Sequence, residues 1–114
     1  MHAKAKKNDP RPDVKRMVEN VIRCKWSLSV LDMIGRGINR PGAMEREVEG
    51  LTTKVLNERL RKLTRFGILE KQIFPEIPPR VEYSFTGFGK KFIGLLEAIK
   101  ELEDELSADR TSGD

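Results

Sequence analysis

Hydrophobic positions in this chain follow two rhythms, one helical and one alternating, and the places where they change mark out its elements. Val14, Met17, Val18, Val21 and Ile22 recur at helical spacing and predict an amphipathic first helix ending near Arg23. After Trp26, Leu28, Val30, Leu31, Met33 and Ile34 predict a second, largely buried helix stopped by Gly35 and Gly37. Pro41 suits a first helical turn because its missing N–H would go unsatisfied there; Ala43, Met44 and Val48 give that short helix an apolar face up to Gly50. Thr52 reads as the N-cap of a fourth helix, with Leu51 and Leu56 set for a hydrophobic staple. Leu56, Leu60 and Leu63 form its buried stripe, and Gly67 its left-handed C-terminal cap, with Ile68 folding back toward Leu63.

Beyond Gly67 the rhythm alternates. Leu69, Lys71 and Ile73 are interleaved with Glu70 and Gln72, and Val81, Tyr83 and Phe85 with Glu82 and Ser84, which predicts strands over 68–74 and 81–85 paired as a hairpin. Pro75, Pro78 and Pro79 fix the backbone and remove donors, so the connection should be stiff and extended, with Arg80 at its exit. Thr86 can cap a last helix in which Phe88, Phe92, Leu95, Ile99, Leu102 and Leu106 are spaced four, three, four, three and four residues apart. That is a heptad seam, widened by Leu96, and it runs past any compact core that 114 residues can build. It predicts a homodimer; a helix lying across its own domain is the alternative.

Two helices joined by a short glycine-containing turn, the second basic on its outer face and followed at once by a hairpin, match the winged helix-turn-helix pattern. The fold class is therefore mainly α with a small β-hairpin wing (α+β), with N- and C-terminal dimerisation helices. The expected organisation is a disordered basic arm over 1–12, one domain over 13–106 and a flexible tail over 107–114. Within the domain the recognition helix covers about 52–66, the wing 68–86 and the dimerisation helix 87–106.

Charge sharpens this reading. The formal net charge is +4, but Lys4, Lys6, Lys7 and Arg11 cluster in the arm, and Lys54, Arg59, Arg61, Lys62, Arg65 and Lys71 lie on or just past the fourth helix. From Glu97 onward seven acids face two bases, a net −5 that phosphates would repel. Double-stranded DNA is the partner this asymmetry fits, although a mixed-charge surface also serves solubility. No apolar run approaches the ~20 residues of a membrane span, so a cytoplasmic protein is expected. His2 lies in the arm and Cys24 is the sole cysteine, so no metal cluster, nucleophile–base pair or cofactor site is expected, nor an enzyme.

From about Asp13 to Leu106 the chain resembles the HxlR family of winged-helix regulators. The resemblance rests on Lys25-Trp26, on the run Gly50 to Leu60, on Phe66-Gly67-Ile68-Leu69, and on Pro75 to Thr86 followed by Gly89. It implies a sequence-specific regulator that binds a pseudo-palindromic operator as a dimer built from the first and last helices. Candidate dimerisation residues are Val14, Met17 and Val21 with Phe88, Phe92, Leu95, Ile99, Leu102 and Leu106. The family pattern assigns Thr52, Thr53 and Lys54 to the start of the recognition helix, and Asn57, Glu58 and Arg61 to its exposed side. Arg40, Pro79 and Arg80 complete the DNA-contact candidates. Arginine or lysine can donate to guanine and asparagine can pair with adenine, whereas Thr52 is better placed to cap the helix, and Glu58 to hold Arg61 or Lys62.

The chain also departs from the family. Asp13 stands where many relatives carry a cysteine that in some of them senses oxidants, so that mechanism does not transfer. Cys24 is left with two readings: a redox sensor whose thiolate Arg23 and Lys25 stabilise, or a small buried filler. Two other functions remain open, a non-specific architectural DNA binder and a winged-helix protein-interaction module. The sequence names no effector.

Overall fold

The computed structural model describes residues 11–112, so the expected arm lies outside the described residues except for Arg11 and Pro12. Among the described residues the order is α1 (Val14–Arg23), α2 (Lys25–Gly35), α3 (Pro41–Glu47), α4 (Thr53–Arg65), β1 (Leu69–Phe74), β2 (Arg80–Phe85) and α5 (Gly87–Ser112). The chain is mostly helical with one antiparallel hairpin, as the two rhythms predict. None of the described helices is long and apolar enough to cross a membrane.

Local chemistry sets the helix ends. Asp13 caps α1 by accepting from the backbone N–H of Arg16 at 2.9 Å. Thr52 does the same for α4, its Oγ1 accepting from Val55 N–H at 3.2 Å. At the other end of α4, Gly67 takes φ +82°, and two bonds close the helix: Gly67 N–H to Thr64 O at 2.9 Å and Ile68 N–H to Leu63 O at 3.1 Å. This is the Schellman arrangement, which a Cβ at Gly67 would strain.

The core is a single cluster in which α1 gives Met17 and Val21, α2 gives Val30, Leu31, Met33 and Ile34, and α4 gives Leu56, Leu60 and Leu63. Each leucine of α4 is essentially inaccessible, and burying such a side chain is worth roughly 1.5–3 kcal/mol. The leucine stripe thus decides which side of α4 faces outward. The hairpin pairs Leu69 with Phe85, Lys71 with Tyr83, Ile73 with Val81 and Phe74 with Arg80. Leu69 and Tyr83 at its base join the core, whereas Ile73 is 60% exposed and Ile77 at the tip fully so. The alternation therefore buries only the base, and the distal half projects as a wing. A backbone bond from Tyr83 N–H to Asn39 O, 3.0 Å, ties its base to the loop between α2 and α3.

The last helix starts at a tight junction. Thr86 Oγ1 accepts from Gly89 N–H at 2.8 Å and donates to the carbonyl of Gly67, while Thr86 N–H reaches Ile68 O at 3.1 Å. A Cβ built on Gly89 would sit 2.0 Å from the Ile68 carbonyl oxygen, so glycine is what lets α5 seat against the start of β1.

Packing within the chain corrects part of the expected dimer surface. Phe92, Met17 and Val21 are buried inside their own chain, at 3%, 4% and 0% exposure. Met17 and Val21 lie on the face of α1 that joins the core, and Phe92 is buried because α5 carries two apolar stripes. Gly89, Phe92, Ile93 and Leu96 turn inward, and Phe88, Leu95, Leu102 and Leu106 turn outward and stay exposed. Ile99 lies between them, lining a cleft of about 620 Å³ with Ile22, Leu28, Leu31, Phe85, Ile93 and Leu96. The helix also continues to Ser112, so the segment expected to be a flexible tail is helical for its first six residues.

Alanine normally stabilises a helix relative to glycine by ~1 kcal/mol, but at position 89 the sign should invert. Gly89→Ala is expected to destabilise the fold by about 1–3 kcal/mol, read as a fall in Tm of roughly 5–15 °C. A Tm equal to or above that of the unsubstituted chain would refute the close approach to Ile68.

Candidate nucleic-acid interface

With Leu56, Leu60 and Leu63 inward, the opposite side of α4 carries Thr53, Lys54, Asn57, Glu58, Arg61 and Arg65, all exposed. These positions recur every three to four residues and form one stripe along a 13-residue helix. Within the stripe the groups differ in freedom. Thr53 Oγ1 donates to Glu45 Oε1 at 2.8 Å, linking α4 to α3 across the turn, and the Thr52 hydroxyl is occupied as a cap. Glu58 lies 3.9 Å from Arg59, not beside Arg61 or Lys62 as the sequence suggested. Among the described residues no ion pair holds Lys54, Asn57 or Arg61, which leaves their donors open to a ligand.

Arg61 also marks how the helix and wing sit together. Burial pushes the Tyr83 hydroxyl above the usual tyrosine range, and the Arg61 charge opposes that rise, so Arg61 lies within electrostatic reach of the hairpin base. Pro79 is exposed at the tip. Arg80 is held on every side: its Nε and Nη2 donate to Glu76 Oε2 at 3.1 and 2.9 Å, and its Nη1 to Glu82 Oε2 at 2.6 Å. Its guanidinium carbon stands 3.8 Å from the centroid of the Phe74 ring, its cross-strand partner. Glu82 Oε2 is shared with Arg40, whose Nη2 is 3.5 Å away. Arg40 itself precedes α3 and is exposed, so the two outlying candidates, Arg40 and Arg80, meet at one carboxylate.

Cys24 sits between α1 and α2, partly exposed, with Lys62 Nζ 3.1 Å from its sulfur. It is therefore not a buried filler. The hydrogen bond from Lys62 pulls the thiol below its ordinary pKa; burial opposes this, and the charges of Lys62 and Arg59 add to it. Sequence reasoning looked to Arg23 and Lys25, its chain neighbours, and missed Lys62 because only the packing of α4 on α2 brings it near. Lys25 lies instead over the Trp26 ring, 4.8 Å from its centroid. No group of three or more His, Cys, Asp or Glu that could hold a metal occurs among the described residues.

Residues 21–110 match the family of HxlR-like helix-turn-helix proteins. An HTH-type transcriptional regulator of Synechocystis sp. is 40% identical over 85 residues, covering 75% of this chain and 63% of that protein. One from Methanothermobacter thermautotrophicus is 37% identical over 82 residues, covering 72% and 63%. The chain thus spans just under two thirds of the length of these relatives. In three dimensions it is similar to a crystal structure from Enterococcus faecalis V583 described as a transcriptional regulator of the MarR family. The TM-score is 0.75 at 28% identity, over 92% of this chain and 98% of that one.

Because the depressed thiol yields more thiolate at a given pH, Cys24 should be alkylated by iodoacetamide near neutral pH faster than an unperturbed cysteine. Lys62→Met should move the midpoint of the rate–pH profile upward. Coincident profiles for the two proteins would exclude Lys62 as the stabilising group.

Proposed function

The chain belongs to the HxlR-like helix-turn-helix family, and from that premise we propose that it is a transcriptional regulator that binds a pseudo-palindromic DNA operator as a homodimer. The observation that carries the reading is the outer stripe of α4, where Lys54, Asn57 and Arg61 stand exposed and uncommitted on a helix whose back is locked into the core. A helix so presented enters the major groove, where Arg61 can donate to guanine and Asn57 can pair with adenine, at about 1–3 kcal/mol of discrimination each.

Dimerisation is argued from α5. Among the described residues its outward stripe of Leu95, Leu102 and Leu106 stays exposed, and Val14, Ile22 and Leu28 are also more than 40% exposed. Ile22 and Leu28 line the cleft between α2 and α5, which a second copy can fill. Charge favours this pairing, since α1 carries Lys15, Arg16 and Arg23 against Glu19, while the far half of α5 is acidic. Two copies related by a two-fold axis then present two α4 helices to successive major grooves, roughly 34 Å apart.

The test is binding to DNA from beside its own gene against random duplex, with oligomeric state measured by light scattering. A dimer with a preference on the order of 10³ for a specific site is expected. Arg61→Ala should erode that preference, and the pair Leu102→Glu with Leu106→Glu should yield a folded monomer bound on the order of 100-fold more weakly. A protein that is monomeric at micromolar concentration and indifferent to sequence would exclude the operator reading.

A further inference from the structure

The wing edge contains as many carboxylates as guanidiniums. Arg40 and Arg80 converge on Glu82 Oε2 at 3.5 and 2.6 Å, and Glu76 takes the remaining donors of Arg80. Beside this network a cleft of about 440 Å³ opens between α3 and the wing tip, lined by Arg40, Arg46, Pro78, Pro79 and Arg80 with Glu76. Its position between a helix and a projecting hairpin, and its three arginines, suit a polyanionic strand. Yet two of the three cations are already neutralised. The side chains of Arg80 and Glu82 are 27% and 23% exposed, so salt screens their pair only partly, whereas that of Arg40 is 54% exposed and can swing away.

Resting on the DNA-binding reading, we infer that Glu82 occupies the place of a backbone phosphate: it holds Arg40 in a phosphate-ready geometry beside the anchored Arg80 and limits the affinity of the wing for DNA. The carboxylate and a phosphate oxygen accept the same guanidinium donors, so a strand entering the cleft must displace Glu82 from Arg40 before that contact forms. Arg80, stacked on Phe74 and held by Glu76, stays behind as a positioning residue for the wing. This division restrains sequence-independent binding and leaves recognition to α4, whose Lys54 and Arg61 carry no such counter-charge among the described residues.

The experiment is a salt titration of binding to a fluorescently labelled duplex of random sequence. Glu82→Gln keeps the size of the side chain and removes its charge. It should bind that duplex roughly tenfold more tightly at low salt, with the slope of log K against log salt steeper by about 0.9 for each arginine that gains a phosphate. Adding Arg40→Ala should remove most of the gain. Should Glu82→Gln loosen the hairpin, seen as a fall in Tm, Glu76→Gln at the exposed tip provides the second arm and should shift binding in the same direction by less. Wild-type protein that binds duplex, with neither variant binding more tightly, would overturn this inference alone. Wild-type protein that binds no duplex would overturn the regulator reading and this inference with it.

Discussion

The fold depends on a junction where the end of α4, the start of β1 and the start of α5 meet around the Thr86 hydroxyl. That one oxygen accepts from Gly89 N–H and donates to the carbonyl of Gly67, the residue that closes α4. The backbone of Thr86 meanwhile bonds Ile68, and the missing Cβ of Gly89 gives the room. A threonine methyl and hydroxyl in a half-buried site, with a glycine three residues on, thus set both the root of the wing and the direction in which the long helix leaves the core. Neither could move without breaking bonds made by buried backbone groups, which cost about 1–3 kcal/mol each when left unpaired.

From this junction two exposed structures project that the core does not cover. The distal hairpin escapes because Leu69 and Tyr83 are its last well-buried residues, and the far half of α5 because its inward stripe ends near Leu96. At 26 residues α5 is about 39 Å long. A chain of this size that leaves apolar residues along such a lever has spent sequence on something other than its own core.

Local signals made most of the fold legible. Caps at Thr52 and Gly67, proline at the start of α3 and the change of period at Ile68 each act within a few residues, so reading them needs no tertiary knowledge. The exposed stripe of α4 was legible for the same reason, as the complement of three leucines. The partner surface was harder. Core and seam positions share the helical period, and whether Phe92 or Leu95 turns inward depends on how Gly89 seats against Ile68, a contact across 21 residues that no pattern encodes. Met17 and Val21 share the helical period of α1 with its exposed positions in the same way, and lie in the core. Contacts between charged groups were the least legible: Cys24 and Lys62 are 38 residues apart, and Arg40 and Glu82 are 42 apart, brought together beside the Tyr83–Asn39 backbone bond. Arg80 over Phe74 could have been read from the hairpin register, had its length been fixed beforehand.

The two candidate binding surfaces are also mechanically linked. Gly67 terminates α4, Thr86 binds the Gly67 carbonyl and Thr86 also caps α5, so α4 and the outward leucine stripe are joined through two residues and no flexible linker. Under the proposed dimer, the separation and tilt of the two α4 helices would follow from how the α5 stripes pair, and a change in that pairing would be carried to the DNA face nearly undiminished. Cys24 lies off this axis, at the α1–α2 corner, but it touches α4 directly through Lys62. Chemistry at the thiol would therefore reach α4 directly, one turn from its C-terminal cap.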